Sequence, residues 1–308
     1  MGRVMFSLDG VCVLEPRNPV WISGKTCVIT GANSGIGRAA SVALAKMGAR
    51  VTMVCRDAAK GEEARKEIAM AAEKKKDDIG LIQADLASMA SVRALAAKLL
   101  ENDTPIHVLI NNAGLMLGSR KVTEDGFETT FEVNYLSHFL LTNLVLERMK
   151  RDAPSRIINT TSDAHTGGHM QFDDLQLQRG YSALKSYSQS KLAQVLFTGE
   201  LARRLQGTGV TVNCFHPGFV ASNWGVHSAG PLGIGIRIGH LFAISPEKGA
   251  DTLVYLASSP DVADVTGRYF VKRKAANPSK EAMDDAAAKR LWDVSMQLCG
   301  LAQASTVR

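Results

Sequence analysis

The sequence Tyr-Ser-Gln-Ser-Lys places a phenol, Tyr187, four residues before an amine, Lys191. On a helix this spacing brings both side chains onto one face. Because an ammonium beside a phenol favours the phenolate, we expect the pKa of Tyr187 to fall from about 10 towards neutral pH. Tyr187 would then be a usable general acid. Tyr181 and Lys185 share the spacing, but apolar residues continue a helix from the later pair, so we favour Tyr187 and Lys191.

Two further polar residues could assist such a proton donor. Ser162 follows a predicted strand at 156–161, and its hydroxyl could hydrogen-bond a substrate carbonyl oxygen and stabilise developing charge there. Asn134 lies in a predicted helix at 132–150 and could hold a water that connects Lys191 to solvent. The alternatives are a plain strand-end hydroxyl for Ser162 and a buried amide that bonds helix backbone for Asn134.

The segment 26–56 has the order strand, glycine-rich turn, helix and strand. In dinucleotide folds this order seats a pyrophosphate on the exposed amides of the helix N-terminus, and glycines let the phosphates approach the backbone. The residues of this turn that we predict to contact a cofactor are Gly31, Asn33, Ser34, Gly35, Ile36, Gly37 and Arg38. A glycine pattern alone also fits a structural turn.

The ends of the next predicted strands extend this nucleotide site, because ligands of open parallel sheets bind beyond the carboxyl ends of the strands. Arg56 ends the second strand, where arginine offers a charged fork to a ribose 2′-phosphate and so predicts NADP(H). As an ordinary surface residue, Arg56 would leave the cofactor open. Asp85 is predicted to accept from the adenine amine, unless it is only a helix cap. The other predicted cofactor contacts are Leu86, Asn112, Ala113, Gly114, Pro217, Gly218 and Val220, together with Tyr187 and Lys191.

Strands alternate with helices along the chain, which predicts an α/β fold: a single-domain, Rossmann-type, doubly wound parallel sheet of about seven strands with helices on both faces. A chain of 308 residues with 45% hydrophobic content can bury one large core. We expect an N-terminal arm at 1–24, a dinucleotide-binding catalytic domain at 25–275 and a C-terminal helical extension at 276–308. An apolar, glycine-rich substrate loop is predicted at 223–243.

Composition disfavours several other classes of protein. The net charge is +6, but the basic residues are dispersed among acids, which is untypical of a nucleic-acid-binding surface. No apolar run reaches the roughly 20 residues that a membrane anchor needs, and no signal peptide is apparent. The cysteines are odd in number and scattered, which favours a reducing, cytoplasmic location over disulfides or a metal site. They are Cys12, Cys27, Cys55, Cys214 and Cys299.

Together these motifs resemble the short-chain dehydrogenase/reductase superfamily, from about Lys25 to Val271. The resemblance rests on the order of a T-G-x-x-x-G-x-G turn, an Asn-Ala-Gly segment, an Asn, a Ser, a Tyr/Lys pair and a Pro-Gly segment. The turn is 30–37, the Asn-Ala-Gly segment is 112–114 and the Pro-Gly segment is 217–218. The single residues between them are Asn134, Ser162 and the pair Tyr187 and Lys191. The chain is most similar to the retinol dehydrogenase group, through the wide gap between Ser162 and Tyr187 and through segments 190–193, 200–205 and 288–292.

This resemblance implies an NADP(H)-dependent oxidoreductase that interconverts a lipophilic alcohol and its aldehyde or ketone. Tyr187 would be the proton donor, Lys191 the nicotinamide-ribose ligand that tunes it, Ser162 the group that orients the carbonyl, and Asn134 a relay residue. Many retinoid enzymes of the group carry an N-terminal membrane anchor, which we do not find in this sequence. Loop 223–243 favours an apolar substrate. Homo-oligomerisation stays open, and the alternative function is a catalytically silent NADP-binding regulator or scaffold.

Overall fold

The computed structural model describes residues 21–218 and 244–301. The strands are β1 (Thr26–Thr30), β2 (Arg50–Cys55), β3 (Gly80–Gln83), β4 (Val108–Asn111), β5 (Ser155–Thr160), β6 (Val210–His216), β7 (Tyr269–Val271) and β8 (Lys274–Ala276). They form one sheet in the order β3-β2-β1-β4-β5-β6-β7-β8. All neighbouring strands pair in parallel except β7 and β8, which are antiparallel. The predicted N-terminal arm, up to residue 20, and loop 223–243 lie outside the described residues.

In the described part of the chain, seven helices connect or flank these strands. They are α1 (Gly35–Lys46), α2 (Ala58–Ala71), α3 (Met89–Leu100), α4 (Ser137–Arg151), α5 (Ala183–Arg204), α6 (Pro246–Ser258) and α7 (Asp285–Leu298). The side chains that cap the N-termini of α2, α3, α5, α6 and α7 are Asp57, Ser88, Ser182, Ser245 and Asp284. Each of these oxygens accepts a backbone amide that the helix itself leaves unpaired. A short turn at Thr129–Phe131 and a π-helical turn at Glu132–Leu136 lead directly into α4.

The sheet is covered on both faces, as a parallel sheet requires. Along β1, Val28 belongs to an apolar cluster with side chains of α3, α4, α5 and α7. Its neighbours Cys27 and Ile29 belong to a second cluster with α1, α2 and α6. The α/β, doubly wound fold predicted from the alternation of elements is therefore confirmed.

The sheet has eight strands rather than about seven. The additional strand, β8, is the antiparallel partner of β7 across a turn in which Lys272 and Arg273 take φ of 48° and 62°. All three residues of β8 are exposed, so the sequence shows no alternation of apolar and polar residues there. A second difference concerns α2. The charged segment 58–76 predicts one helix up to Lys76, but α2 ends at Ala71, and Glu73 takes a left-handed φ of 55°.

The C-terminal helix α7 packs against the helices that carry the candidate site. The Trp292 ring lies 5.0 Å from that of Phe139 on α4 and 6.0 Å from that of Phe197 on α5, measured between centroids. The hydroxyl of Tyr135, in the π-helical turn, lies 2.8 Å from that of Ser295 on α7. Helix α7 thus closes one face of the core.

The helices and the cysteines of the described residues can be compared with two expectations from the sequence. Within 21–218 and 244–301, no helix combines the length and the apolarity needed to cross a bilayer. Four of the five cysteines lie in the described part of the chain, and all four are buried free thiols: Cys27, Cys55, Cys214 and Cys299.

Candidate active site

The fold brings Ser162, Tyr187 and Lys191 together beyond the end of β5. Tyr187 and Lys191 lie one turn apart on α5 and are 9% and 3% exposed. The Lys191 ammonium nitrogen lies 5.5 Å from the centroid of the Tyr187 ring. The side chain of Ser162, directly after β5, hydrogen-bonds that of Tyr187 and also accepts the amide of Ala164 at 3.2 Å. A buried phenol, a buried amine and a partly buried hydroxyl therefore share one site.

The Lys191 ammonium is anchored on the side away from solvent. Its Nζ donates to the carbonyl oxygen of Thr160 at 2.9 Å and to Oε1 of Gln194 at 2.9 Å. A Cβ placed on Gly114 would lie 3.5 Å from the same nitrogen. Glycine at 114 thus lets the backbone after β4 pass close to Lys191.

The pKa of Tyr187 is shifted opposite to our expectation. Burial raises the pKa of Tyr187 to about 12, against the opposing hydrogen bond from Ser162. Burial also lowers the pKa of Lys191 from 10.5 to about 7. The expectation of an acidified phenol was wrong for this ligand-free arrangement, because spacing along a helix does not reveal the desolvation that both groups suffer. A protonated phenol is nevertheless the form that can donate a proton to a carbonyl oxygen.

The Asn134 side chain is fully engaged with protein groups. Its Oδ1 accepts the amide of Leu115 at 2.8 Å, and its Nδ2 donates to the Leu115 carbonyl and to the Ser190 hydroxyl, both at 2.9 Å. The link towards Lys191 comes from the Asn134 main chain, whose carbonyl oxygen accepts Nε2 of Gln194 at 2.8 Å. Gln194 was not predicted as a site residue from the sequence. Its position three residues after Lys191, on the same helical face, is the signal that could have identified it.

The glycine-rich turn packs tightly against the segment after β4. Gly31 has φ of +67°, and a Cβ there would lie 2.9 Å from Cα of Ala113. A Cβ on Gly37 would lie 2.3 Å from the carbonyl oxygen of Gly31 and 2.7 Å from Nδ2 of Asn112. The hydroxyl of Thr30 accepts the amides of Asn112 and Ala113 at 2.9 and 3.0 Å. These glycines are therefore required for packing of the turn, whatever they do for a ligand.

The N-terminus of α1 has the chemistry that a pyrophosphate needs. Its N-cap, Ser34, makes no side-chain capping bond, and the first turn contains no acidic residue. The amide of Arg38 is bonded to the Ser34 carbonyl at 3.1 Å, whereas those of Gly35, Ile36 and Gly37 come before this bond. Such amides and the positive end of the helix dipole suit an anion. The predicted residue Asn33 precedes Ser34 in the same turn.

The predicted adenosine end of the site contains two arginines in different settings. Arg56 is exposed after β2, and its carbonyl accepts Nε2 of Gln83 at 3.1 Å. Arg38 forms an ion pair with Glu67 at 2.5 Å. Asp57, the acid closest in sequence to Arg56, caps α2 by accepting the amide at position 60 at 3.0 Å. The Asp57 carboxylate, which lies near the end of β2, is thus engaged in capping α2.

Asp85 and Leu86 form the connection between β3 and α3. Oδ1 of Asp85 accepts the amide of Ala87 at 2.9 Å, and the Asp85 amide donates to the Ser91 hydroxyl at 2.9 Å. The N-cap of α3 is Ser88, so Asp85 shapes the turn before the helix and is not its cap. Leu86 is buried.

The last three predicted cofactor residues are Pro217, Gly218 and Val220, and the structure describes two of them. Pro217 and Gly218 follow β6, and Gly218 has φ of +90°. Val220 lies outside the described residues.

Glu132 lies two residues before Asn134 in the π-helical turn and was not predicted as a site residue from the sequence. It is fully buried, with the side chains of Thr123 and Asp125 close to its carboxylate. Burial, with the nearby carboxylates of Asp125 and Asp85, raises the pKa of Glu132 from 4.5 to about 7. The folded state therefore binds a proton that the unfolded chain has released between these two pH values.

Glu132→Gln is expected to stabilise the protein in a pH-dependent way. Because the folded-state pKa of Glu132 is raised, the stability of the native protein falls as pH rises from 4.5 to about 7. Removing the charge should make the variant more stable than the parent by about 3 kcal/mol at pH 8, and by little at pH 4. Urea unfolding at both pH values measures this difference. Glu147→Gln, at an exposed position on the following helix, is the control and should show no such pH dependence.

An apolar wall flanks the Tyr187 ring. Met116 and Ala183 are buried against it, and Ala164 packs on this small cluster. The cluster is separate from the two main cores of the domain. A carbonyl compound that reached the Tyr187 hydroxyl would therefore meet aliphatic side chains on this side.

Comparison with known proteins identifies the family. The family model described as short chain dehydrogenase matches residues 25–228. The chain belongs to the short-chain dehydrogenase family. Curated relatives place it in the retinol dehydrogenase-like group of short-chain dehydrogenases. Human retinol dehydrogenase 13 is 47% identical over 293 residues, covering 93% of this chain and 88% of the relative. Human retinol dehydrogenase 14 is 46% identical over 298 residues, covering 92% and 89%.

Solved structures agree with this assignment to the short-chain dehydrogenases. A crystal structure of an uncharacterized protein from Mycobacterium Paratuberculosis is 34% identical, with a TM-score of 0.73, and the match covers 91% of this chain and 94% of that one. The Pseudomonas aeruginosa RhlG/NADP active-site complex is 27% identical, with a TM-score of 0.65, and the match covers 82% and 97%. The protein is thus an oxidoreductase of this family, whose members use NAD(P).

Proposed function

We propose that this short-chain dehydrogenase is NADP(H)-dependent and interconverts a lipophilic alcohol and its aldehyde or ketone. The observation that carries the proposal is the meeting of Ser162 with the buried side chains of Tyr187 and Lys191 beside segment 112–114, which packs on the glycine-rich turn. The catalytically silent alternative does not explain why a phenol, a hydroxyl and an amine are brought together there.

When bound, NADPH would supply the hydride for the reductive direction. The hydroxyls of Ser162 and Tyr187 hold the carbonyl oxygen, and Tyr187 donates its proton to that oxygen as negative charge develops. Lys191 would bind the nicotinamide ribose, and its positive charge stabilises the phenolate that remains. The burial of Tyr187 and Lys191 limits the access of water to the reacting atoms.

Substrate and cofactor preferences have separate support. The apolar wall of Met116 and Ala183 beside Tyr187 favours a lipophilic carbonyl compound, and the curated relatives are named as retinol dehydrogenases. An exposed arginine after β2, with Asp57 engaged as a helix cap, favours a 2′-phosphate over a bare ribose. A cytoplasmic location and homo-oligomerisation stay predictions.

A carbonyl panel tests the proposed function. The panel contains a retinoid aldehyde, a steroid ketone, a fatty aldehyde, an aryl ketone and a sugar ketone, each assayed with NADPH and with NADH by the absorbance of the reduced nicotinamide. We expect turnover of the lipophilic compounds with NADPH. Binding of NADPH without turnover of any compound would favour the silent alternative, and preference for the sugar ketone would contradict the lipophilic assignment.

Arg56→Asp is expected to reverse the cofactor preference. A carboxylate at this position repels a 2′-phosphate and accepts from a 2′-hydroxyl, so the ratio of kcat/KM for NADPH to that for NADH should fall about tenfold or more. Lys66→Asp makes the same charge change at an exposed position on α2 and should alter the ratio little. A ratio that is equal in the two variants would show that Arg56 does not contact the cofactor.

A further inference from the structure

Gln194 is a buried amide that the proposed mechanism does not use. It lies on α5 with 2% of its surface exposed. Its Oε1 accepts the Lys191 ammonium at 2.9 Å, and its Nε2 donates to the carbonyl oxygen of Asn134 at 2.8 Å. The two ends of one amide group thus join the amine to the main chain of the neighbouring helix, where the sequence analysis had expected a water.

We propose that Gln194 is a positioning residue, which holds the Lys191 ammonium in its working orientation by linking it to the Asn134 main chain. This inference rests on the proposed function, since it gives Gln194 a part in the same reaction. An ammonium has three N–H donors in a tetrahedral arrangement. The Thr160 carbonyl and Gln194 take two of them, which fixes the direction of the third.

The acceptor that anchors Gln194 is itself fixed by a buried network. The Asn134 carbonyl also lies 3.1 Å from Nδ1 of His138, whose Nε2 lies 3.0 Å from the hydroxyl of Thr30. A carbonyl oxygen can only accept, so the contact with the Asn134 carbonyl places the proton of His138 on Nδ1. Nε2 then accepts from the Thr30 hydroxyl, whose oxygen also lies 3.4 Å from the carbonyl oxygen of Ile110. The contacts connect the start of the glycine-rich turn to Lys191.

Within residues 21–218 and 244–301, two titratable groups interact with Lys191. They are Tyr187 on the same helix and His138 on α4. Burial lowers the pKa of His138 to about 4, so this imidazole is neutral at working pH. Changes at Gln194 will therefore be reported mainly by Lys191 itself.

Three variants test the role. Gln194→Leu removes the acceptor, whereas Gln194→Glu places a carboxylate beside the ammonium and removes the donor to Asn134. The matched control is Gln189→Leu, which removes another buried amide of α5. That amide bonds the 171 amide and the Leu175 carbonyl, away from Lys191.

The first readout is titration of the Lys191 side chain by NMR in the cofactor-free protein, assigned with Lys191→Met. Loss of a hydrogen-bond acceptor disfavours the ammonium, so Gln194→Leu should titrate below the parent's value of about 7. Gln194→Glu should titrate about one unit or more above the parent, because the carboxylate favours the charged amine. Gln189→Leu should titrate like the parent.

The second readout is the pH dependence of kcat. We expect Gln194→Leu to lower kcat about tenfold with little change in KM, and to shift the alkaline limb of the profile to lower pH. Gln194→Glu should shift that limb to higher pH. Unchanged titration and profiles in both Gln194 variants would overturn the positioning role. If the titrations move as expected but no variant, the parent included, reduces any carbonyl compound, the linkage stands and the proposed function fails.

Discussion

Replacing Tyr187 by Phe is expected to lower kcat by about three orders of magnitude. The change removes a single oxygen from a ring that stays packed against Met116 and Ala183. The substrate oxygen then has no proton donor, while Ser162 keeps its bond to the amide of Ala164. Single-turnover and steady-state assays with a lipophilic carbonyl compound measure the loss, and fluorescence titration should show that NADPH still binds.

The chain offers a matched control for this variant. Tyr181, which has a lysine four residues later, donates its hydroxyl to the carbonyl of Leu117 at 2.8 Å. Tyr181→Phe also removes one phenol oxygen near the site and should leave kcat within about threefold of the parent. Loss of activity in Tyr181→Phe, with activity retained in Tyr187→Phe, would show that the proton donor is Tyr181 and that the predicted pair is wrong.

Gly37→Ala is expected to destabilise the domain by about 3 kcal/mol and to abolish tight dinucleotide binding. The new methyl group would lie 2.3 Å from the carbonyl oxygen of Gly31 and 2.7 Å from Nδ2 of Asn112. The first obstacle is backbone of the turn itself and the second belongs to the segment after β4, so the turn and this segment must move apart. Urea unfolding measures the free energy, and calorimetry measures the affinity for NADPH.

The same substitution at Gly199 serves as the control. Gly199 lies in the interior of α5, where an added Cβ would meet only the end of Arg203, at 3.9 Å. Alanine is there expected to stabilise the helix by about 0.5–1 kcal/mol. Equal effects of the two substitutions would mean that close packing does not explain the glycine at position 37.

The strands could be predicted where their residues are buried, and missed where they are not. Residues 26–30 and 210–215 form apolar runs because both faces of a parallel sheet are covered. Strand β8 has exposed side chains, and its turn contains Lys272 and Arg273 in place of the Asn or Gly that favour positive φ. The end of α2 was missed for a similar reason, since Glu73 is no typical terminator.

The main residues of the candidate site could be predicted from the sequence, but the pKa of Tyr187 and the contact of Gln194 could not. Residue order along the chain indicated Ser162, Tyr187 and Lys191 as neighbours, because strand ends of a parallel sheet share one edge. Desolvation depends on everything packed around a group, so the raised pKa of Tyr187 could not be obtained from the Tyr/Lys spacing. Gln194 was missed because a polar residue within an apolar helix has no visible partner until the neighbouring helix is in place.

The position of α7 has a consequence for biosynthesis. Trp292 and Ser295 complete the packing around Phe139, Phe197 and Tyr135, yet they are translated after every strand of the sheet. A nascent chain that has emerged only as far as β8 leaves this aromatic surface open to solvent. We therefore infer that the helices bearing Asn134 and Lys191 acquire their final support late, when the ribosome has released residues 285–298, and that until then chaperones have an apolar surface to hold.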